Sequence, residues 1–147
     1  CTFTEDNEMA AHQVVHALME RGFTRIGFAG SPLFSAAFSE RYFGFRQSCY
    51  RAGLAVQEED EWLDLLPGID SEETENSILR HLEQNKSLPE VFFCGNDLLA
   101  VTLAKVLRRA GVRVFRSSAW ILISSVSLPS RDLRRWTSGA AGRSRPL

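Results

Sequence analysis

The polar side chains best suited to holding a small molecule are Arg41, Asn96 and Asp97. A guanidinium offers forked hydrogen-bond donors that match vicinal hydroxyls or a carboxylate. The Asn-Asp pair follows a short apolar run and can both donate and accept hydrogen bonds. Each group also has a simpler interpretation, since Arg41 could be a solvated cation paired with Glu40 or Asp97, and Asn96 and Asp97 could cap a helix. Capping and ligand contact are compatible, so these three residues are the candidate binding residues.

Metal binding and catalysis have weaker support in the sequence. His12 and His16 are spaced to share one helix face, but Gln13 stands where zinc proteases carry their general-base glutamate, and no third ligand is evident. Cys94 ends an apolar run, where a small buried side chain is expected rather than a nucleophile. The sequence contains no phosphate loop, nucleophile elbow or dinucleotide-binding glycine motif. We therefore predict no metal site, no bound cofactor and no enzyme activity.

The chain is predicted to alternate between helices and strands, and these elements must position the candidate binding residues. Apolar spacing and turn residues predict helices over 8–21, 39–52, 70–84 and 98–110, and strands over 25–29, 62–66, 91–94 and from 112. This alternation predicts an α/β protein with a three-layer parallel sheet and helices on both faces. Ligands of such sheets bind beyond the carboxyl ends of the strands. The loops expected at that edge cover residues 31–39, 67–70 and 95–97.

Three further segments carry weaker predictions. Cys1–Thr4 could end a strand, and Ala119–Val126 is apolar enough to form one. The acidic run Glu58–Glu61 is expected to be solvated.

The composition is that of one globular domain, with 147 residues, 44% of them hydrophobic and 24% charged. These values exclude a collagen-like, coiled-coil or wholly disordered chain. No uninterrupted apolar run approaches the length of a membrane span, and no signal peptide is visible, so we expect no membrane segment. The 3 cysteines have neither zinc-site nor redox-pair spacing, which suits a reduced, cytoplasmic protein.

The near-neutral net charge conceals a difference between two segments. Residues 1–114 contain 11 Lys and Arg against 17 Asp and Glu, whereas residues 115–147 contain 6 Arg against the single acid Asp132. Such an asymmetry indicates a separate tail. The tail either contacts nucleic acid phosphates or does not belong to the domain, and the sparse aromatic content favours the second interpretation.

Several motifs then follow one another in a familiar order: Asp6-Asn7, the segment 21–30, Arg41–Phe45, the segment 88–100 and Ala110–Val114. This series resembles the effector-binding domain of the LacI/GalR transcription repressors, whose fold is that of type I periplasmic binding proteins. The resemblance covers about residues 2–114 and lies mostly in the C-terminal subdomain of that fold. Arg41 looks like the arginine of the family's effector-binding motif, and Asn96 and Asp97 match its cleft pair. Phe34 and residues 66–70 are expected as pocket walls.

The resemblance implies a cytoplasmic homodimer that binds a sugar or nucleobase-like effector. Operator DNA would be bound through an N-terminal helix-turn-helix outside this chain. The alternative is a solute-binding protein of a sugar transport system, which shares the fold. A helix-turn-helix or a signal peptide upstream would distinguish the two.

The resemblance stops after Val114, where the family continues with proline and a strand but this chain reads Phe115–Ser118. One choice of codons for these residues becomes Pro-Glu-Gln in a shifted frame, as expected in the family. We therefore predict an effector-binding domain fragment over 1–114 and a divergent, frameshifted or disordered tail over 115–147.

Overall fold

The computed structural model describes residues 7–68, 71–117 and 120–123. Its helices are α1 (Asn7–Glu20), α2 (Ala36–Arg51), α3 (Ser71–Gln84) and α4 (Asp97–Arg109). Its strands are β1 (Ile26–Ala29), β2 (Glu61–Trp62), β3 (Val91–Cys94), β4 (Val114–Ser117) and β5 (Trp120–Ile123). A short 3₁₀ turn over Glu58–Asp60 leads into β2.

The five strands form one sheet in the order β2-β1-β3-β5-β4. β1 lies at the centre of a parallel group, with Phe28 opposite both Glu61 of β2 and Phe93 of β3. A helix joins each consecutive pair of these three strands, because parallel strands need a long crossover connection. The predicted parallel sheet is thus confirmed for β2, β1 and β3.

Helices cover both faces of the sheet, as the alternation of elements predicts. All residues of β1 and β3 are buried, and neighbouring side chains point to opposite faces. Phe28 and Phe93 pack under α1 and α2 with Leu18 and Phe45. The other face carries Phe92, which packs under α3 and α4 in a cluster that includes Ala29, Trp62, Ile78 and Leu103.

The last two strands differ from the all-parallel expectation. β4 and β5 are antiparallel to each other, and β5 lies antiparallel beside β3, with Val91 opposite Leu122. The connection between β4 and β5 is too short for a parallel crossover, so the chain reverses as a hairpin. The strand expected within Ala119–Val126 is present as β5, whereas Cys1–Thr4 lies outside the described residues.

Among the helices that the structure describes, none is long and apolar enough to cross a membrane.

Candidate functional site

The carboxyl ends of the three parallel strands are tied together by backbone hydrogen bonds. The amide of Gly30 donates to the carbonyl of Trp62, and the amide of Gly95 donates to the carbonyl of Ala29, both at 2.9 Å. One residue further, the amide of Ser31 donates to the carbonyl of Leu65 at 2.9 Å. The loops that follow β1, β2 and β3 therefore meet at one edge of the sheet, where ligands of such folds bind.

Arg41 reaches this edge from the second turn of α2. Its Nε donates to Oδ1 of Asn7 at 2.9 Å, and its Nη1 donates to the backbone carbonyl of Gly95. Asn7 is 5% exposed, and its Nδ2 donates to a carboxylate oxygen of Glu40 at 2.9 Å. The partly buried guanidinium is thus held between the start of α1 and the loop that follows β3.

Asn96 and Asp97 stand in that loop, directly after Gly95. The side-chain oxygen of Asn96 accepts a hydrogen bond from the amide of Leu99 at 2.9 Å, so Asn96 is the N-cap of α4. Asp97 is exposed in the first turn of the helix, where a carboxylate interacts favourably with the helix dipole. The capping interpretation therefore holds for Asn96, and the contact between Arg41 and Gly95 brings the guanidinium to the same loop.

An aromatic pair forms the neighbouring part of the edge. Phe34 is 39% exposed, and its ring lies 4.9 Å, centroid to centroid, from the buried ring of Phe38. Phe38 fills the space beside Gly30 and Gly95, where a Cβ atom would collide with its ring. Leu66 in the loop after β2 and Leu98 in the first turn of α4 add exposed apolar surface, so the edge combines polar groups with an apolar wall.

The two histidines considered as metal ligands lie elsewhere, on α1. Both ring nitrogens of His12 contact side chains of α2: Nδ1 the hydroxyl of Ser48, and Nε2 the amide oxygen of Gln47 at 3.2 Å. His16 is exposed beside Glu20. No group of three metal-ligating side chains is found within the described part of the chain.

Cys94 is fully buried at the end of β3, and burial raises the pKa of its thiol. A buried thiol with a raised pKa is a poor nucleophile, because the thiolate is the reactive form.

A parallel sheet whose strand ends gather a tethered arginine, an Asn-Asp pair and an apolar wall is typical of α/β domains that bind ligands at this edge. The chain belongs to the periplasmic binding protein-like domain family, whose family model matches residues 15–114.

Solved structures of LacI-family and related regulators share this fold. A sugar-binding transcriptional regulator of the LacI family from Escherichia coli, complexed with phosphate, is 21% identical, with a TM-score of 0.63 over 74% of this chain and 38% of that one. The transcription regulator GntR from Chromobacterium violaceum is 27% identical, with a TM-score of 0.58 over 72% of this chain and 38% of that one. The transcription regulator CcpA of Lactococcus lactis is 22% identical, with a TM-score of 0.56, and coverages of 74% and 38%.

The chain spans less than two fifths of the length of these regulators. A search of curated proteins gave no match.

The structure brings Arg41, Asn96 and Asp97 to one loop and places Phe34 on the same edge through Phe38. The sequence did not single out Asn7 as a partner of Arg41, because its position before a helix predicts only a cap. Glu40 was considered only as an ion-pair partner of Arg41, whereas its carboxylate binds Asn7.

Proposed function

We propose that this chain is the effector-binding part of a DNA-binding transcription regulator, with the small molecule held at the carboxyl edge of the parallel strands. The observation that carries the proposal is the placement of Arg41. Its guanidinium is anchored to the carbonyl of Gly95, immediately before Asn96 and Asp97. The membership of the periplasmic binding protein-like family and the regulators of the same fold support it.

The proposed site residues supply the chemistry that a hydroxyl-rich ligand needs. The guanidinium of Arg41 donates hydrogen bonds, the carboxylate of Asp97 accepts them, and the amide of Asn96 does both. Phe34 offers an apolar face against which the flat side of a sugar ring or a nucleobase can pack.

The proposed mechanism is a population shift in a homodimer. An effector that binds one arrangement of the whole regulator more tightly than another changes the balance between them, and so changes operator affinity. DNA binding would be supplied by an N-terminal domain outside this chain. We place this regulator in the cytoplasm, where the operator lies.

Titration of the 147-residue chain tests the proposed site. We would follow backbone amide signals by NMR while adding millimolar D-ribose, D-galactose or adenine, which represent a pentose, a hexose and a nucleobase. We expect one compound to shift signals of residues 31–35 and 95–98. Arg41→Ala should weaken its binding about tenfold or more, because a hydrogen bond from a charged group is lost.

Arg51→Ala is the matched control, since Arg51 is an exposed arginine at the other end of α2. The Arg51→Ala variant should bind the same compound with the affinity of the wild type. Equal affinity of the Arg41→Ala variant would remove Arg41 from the site.

We also propose that the family-like sequence ends near Val114, and that residues 115–147, although they supply β5 and most of β4 to the sheet, are a divergent or frameshifted continuation. The charge difference between the two segments and the loss of the motif series support this boundary. The nucleotide sequence of the gene tests it: a family-like continuation in another reading frame after codon 114 is expected. Its absence from both other frames would reject the frameshift.

A further inference from the structure

We propose that Asn7 is a positioning residue, which together with Glu40 fixes the orientation of the Arg41 guanidinium. Its effect on ligand affinity rests on the proposed function, whereas its effect on Arg41 does not. Asn7 is the first residue of α1, and Arg41 lies 34 positions further on in α2.

The hydrogen bonds run in one direction through the three side chains. Arg41 Nε donates to Oδ1 of Asn7, and Nδ2 of Asn7 donates to Oε1 of Glu40, each at 2.9 Å. The reverse orientation of the amide would point its NH₂ at the donating guanidinium and its oxygen at the carboxylate. Both contacts would then be repulsive, so the charges on either side select one orientation of Asn7.

The fixed orientation of the Asn7 amide gives the guanidinium of Arg41 a defined plane. An arginine side chain has many rotamers, and ordering it costs conformational entropy. Asn7 holds Nε from α1, and the carbonyl of Gly95 holds Nη1 from the loop after β3. Two anchors on different atoms of a planar group fix both its position and its tilt, so the ordering takes place on folding rather than on ligand binding.

Burial makes the contact with Asn7 effective. Asn7 is 5% exposed, so its hydrogen bonds compete little with water. The amide of Asn7 carries both an acceptor for the guanidinium and a donor for the carboxylate. Alanine at position 7 removes both groups and leaves the carboxylate of Glu40 without this donor.

The first experiment measures the exchange of the Arg41 Nε proton with water in the full chain, without ligand, by ¹H–¹⁵N NMR. The Arg41→Ala spectrum assigns the signal. We expect exchange about tenfold faster in Asn7→Ala, because the acceptor is lost. Asn85→Ala is the matched control, since that asparagine also donates from its side chain but to the carbonyl of Glu59. It should leave the signal unchanged.

A paired substitution provides the decisive variant. Asn7→Asp with Glu40→Gln exchanges the roles of the two groups, because the new amide can donate to the new carboxylate while that carboxylate accepts from Arg41. We expect the slow exchange of the wild type to be retained in this double variant. It also carries the test if Asn7→Ala does not fold.

The second experiment compares, by NMR titration, the affinity for whichever of D-ribose, D-galactose and adenine the wild-type chain binds. We expect binding of that compound to be about tenfold weaker in Asn7→Ala, because Arg41 must then be ordered on binding, and close to wild type in the double variant. If none of the three binds, or if Arg41→Ala leaves the binding unchanged, the proposed function fails, and the exchange rates still decide the role of Asn7. Unchanged Nε exchange in Asn7→Ala, or fast exchange in the double variant, would overturn the positioning role.

Discussion

Replacing Gly95 with alanine perturbs the loop after β3 at the point where it contacts both Arg41 and the ring of Phe38. A Cβ atom on Gly95 would lie 2.5 Å from Cδ2 and 2.6 Å from Cζ of Phe38, well inside the carbon–carbon contact distance of about 3.5–4.0 Å. Phe38 is 2% exposed, the same edge of its ring lies close to Gly30, and its ring also packs against that of Phe34. The ring therefore has little room to move away, and the added methyl group must displace it or the loop.

The size of the effect follows from two limits. Overpacking of a close-packed core costs about 1–3 kcal/mol. Expulsion of Phe38 from its position would cost about 3–5 kcal/mol, as for removal of a buried phenylalanine side chain. Gly95 does not have a positive φ, so alanine can adopt the same backbone conformation. Because alanine also restricts the unfolded chain, the substitution offsets this loss of stability by about 0.4–1 kcal/mol. We expect Gly95→Ala to lower the free energy of unfolding by about 2–3 kcal/mol.

Urea denaturation followed by far-UV circular dichroism measures this value, and a double-mutant cycle isolates its cause. In a Phe38→Ala background, the same change at Gly95 should be neutral or slightly stabilising, which gives a coupling energy of about 3 kcal/mol. A neutral or stabilising Gly95→Ala in the wild-type background would refute the steric argument. So would an equal loss in both backgrounds, because the cost would then not come from the ring.

Three other outcomes are expected. Asn96→Ala should destabilise the chain by about 1 kcal/mol in urea titrations, since α4 loses its cap, whereas Asn85→Ala, at a partly exposed position after α3, should have a smaller effect. The pKa of Glu75 is lowered, chiefly by its hydrogen bond with Lys105, so its stabilising effect is present above the ordinary glutamate range. The difference in urea midpoint between wild type and Glu75→Gln should therefore vanish as the pH falls through that lowered pKa, and a difference that persists in acid would contradict the assignment. Burial raises the pKa of Cys49 to about 12, so in a Cys1→Ser variant no thiol should react with Ellman's reagent before unfolding. Rapid labelling of the native variant would show that Cys49 or Cys94 is accessible.

Local signals predicted the elements well where helix and strand periodicity is strong. β3 has the predicted bounds, and α3 and α4 begin within one residue of theirs. The sequence predicts that α2 begins at Ser39, whereas the helix begins three residues earlier, at Ala36, because Ser35 is its cap. Its hydroxyl accepts a hydrogen bond from the amide of Phe38 at 3.2 Å, so the preceding loop is shorter than expected.

The sequence does not predict which residues far apart in the chain come into contact. Asp60 belongs to an acidic run that was expected to be solvated, yet it is 1% exposed. Arg25, 35 positions earlier, donates from Nε and Nη2 to its two carboxylate oxygens at 2.8 and 2.9 Å. A buried carboxylate needs such a partner, and the sequence does not show which cation the fold brings to it.

The same limit applies to the candidate site. The type and position of Arg41 were sufficient to place it at the carboxyl edge, since it follows a strand and a loop. Its partners Asn7 and Gly95 come from α1 and from the loop after β3, and no spacing rule links three segments of that kind. Tertiary hydrogen bonds, rather than local preference, set the orientation of the guanidinium.

The hairpin of β4 and β5 can separate from the sheet more readily than the parallel strands can. The parallel strands β1, β2 and β3 are interleaved with α2 and α3, so none can leave the sheet without disturbing a helix layer. The hairpin is contiguous in sequence, and within the described residues its sheet neighbour outside itself is β3. It can therefore open as a cooperative unit that exposes Val114, Ile121 and Ile123 of the core, while the hydrogen bonds around Arg41 stay formed. Amide hydrogen exchange would then have two levels, with Ile121 and Ile123 exchanging by subglobal opening and Phe28 and Phe93 only by unfolding of the whole domain.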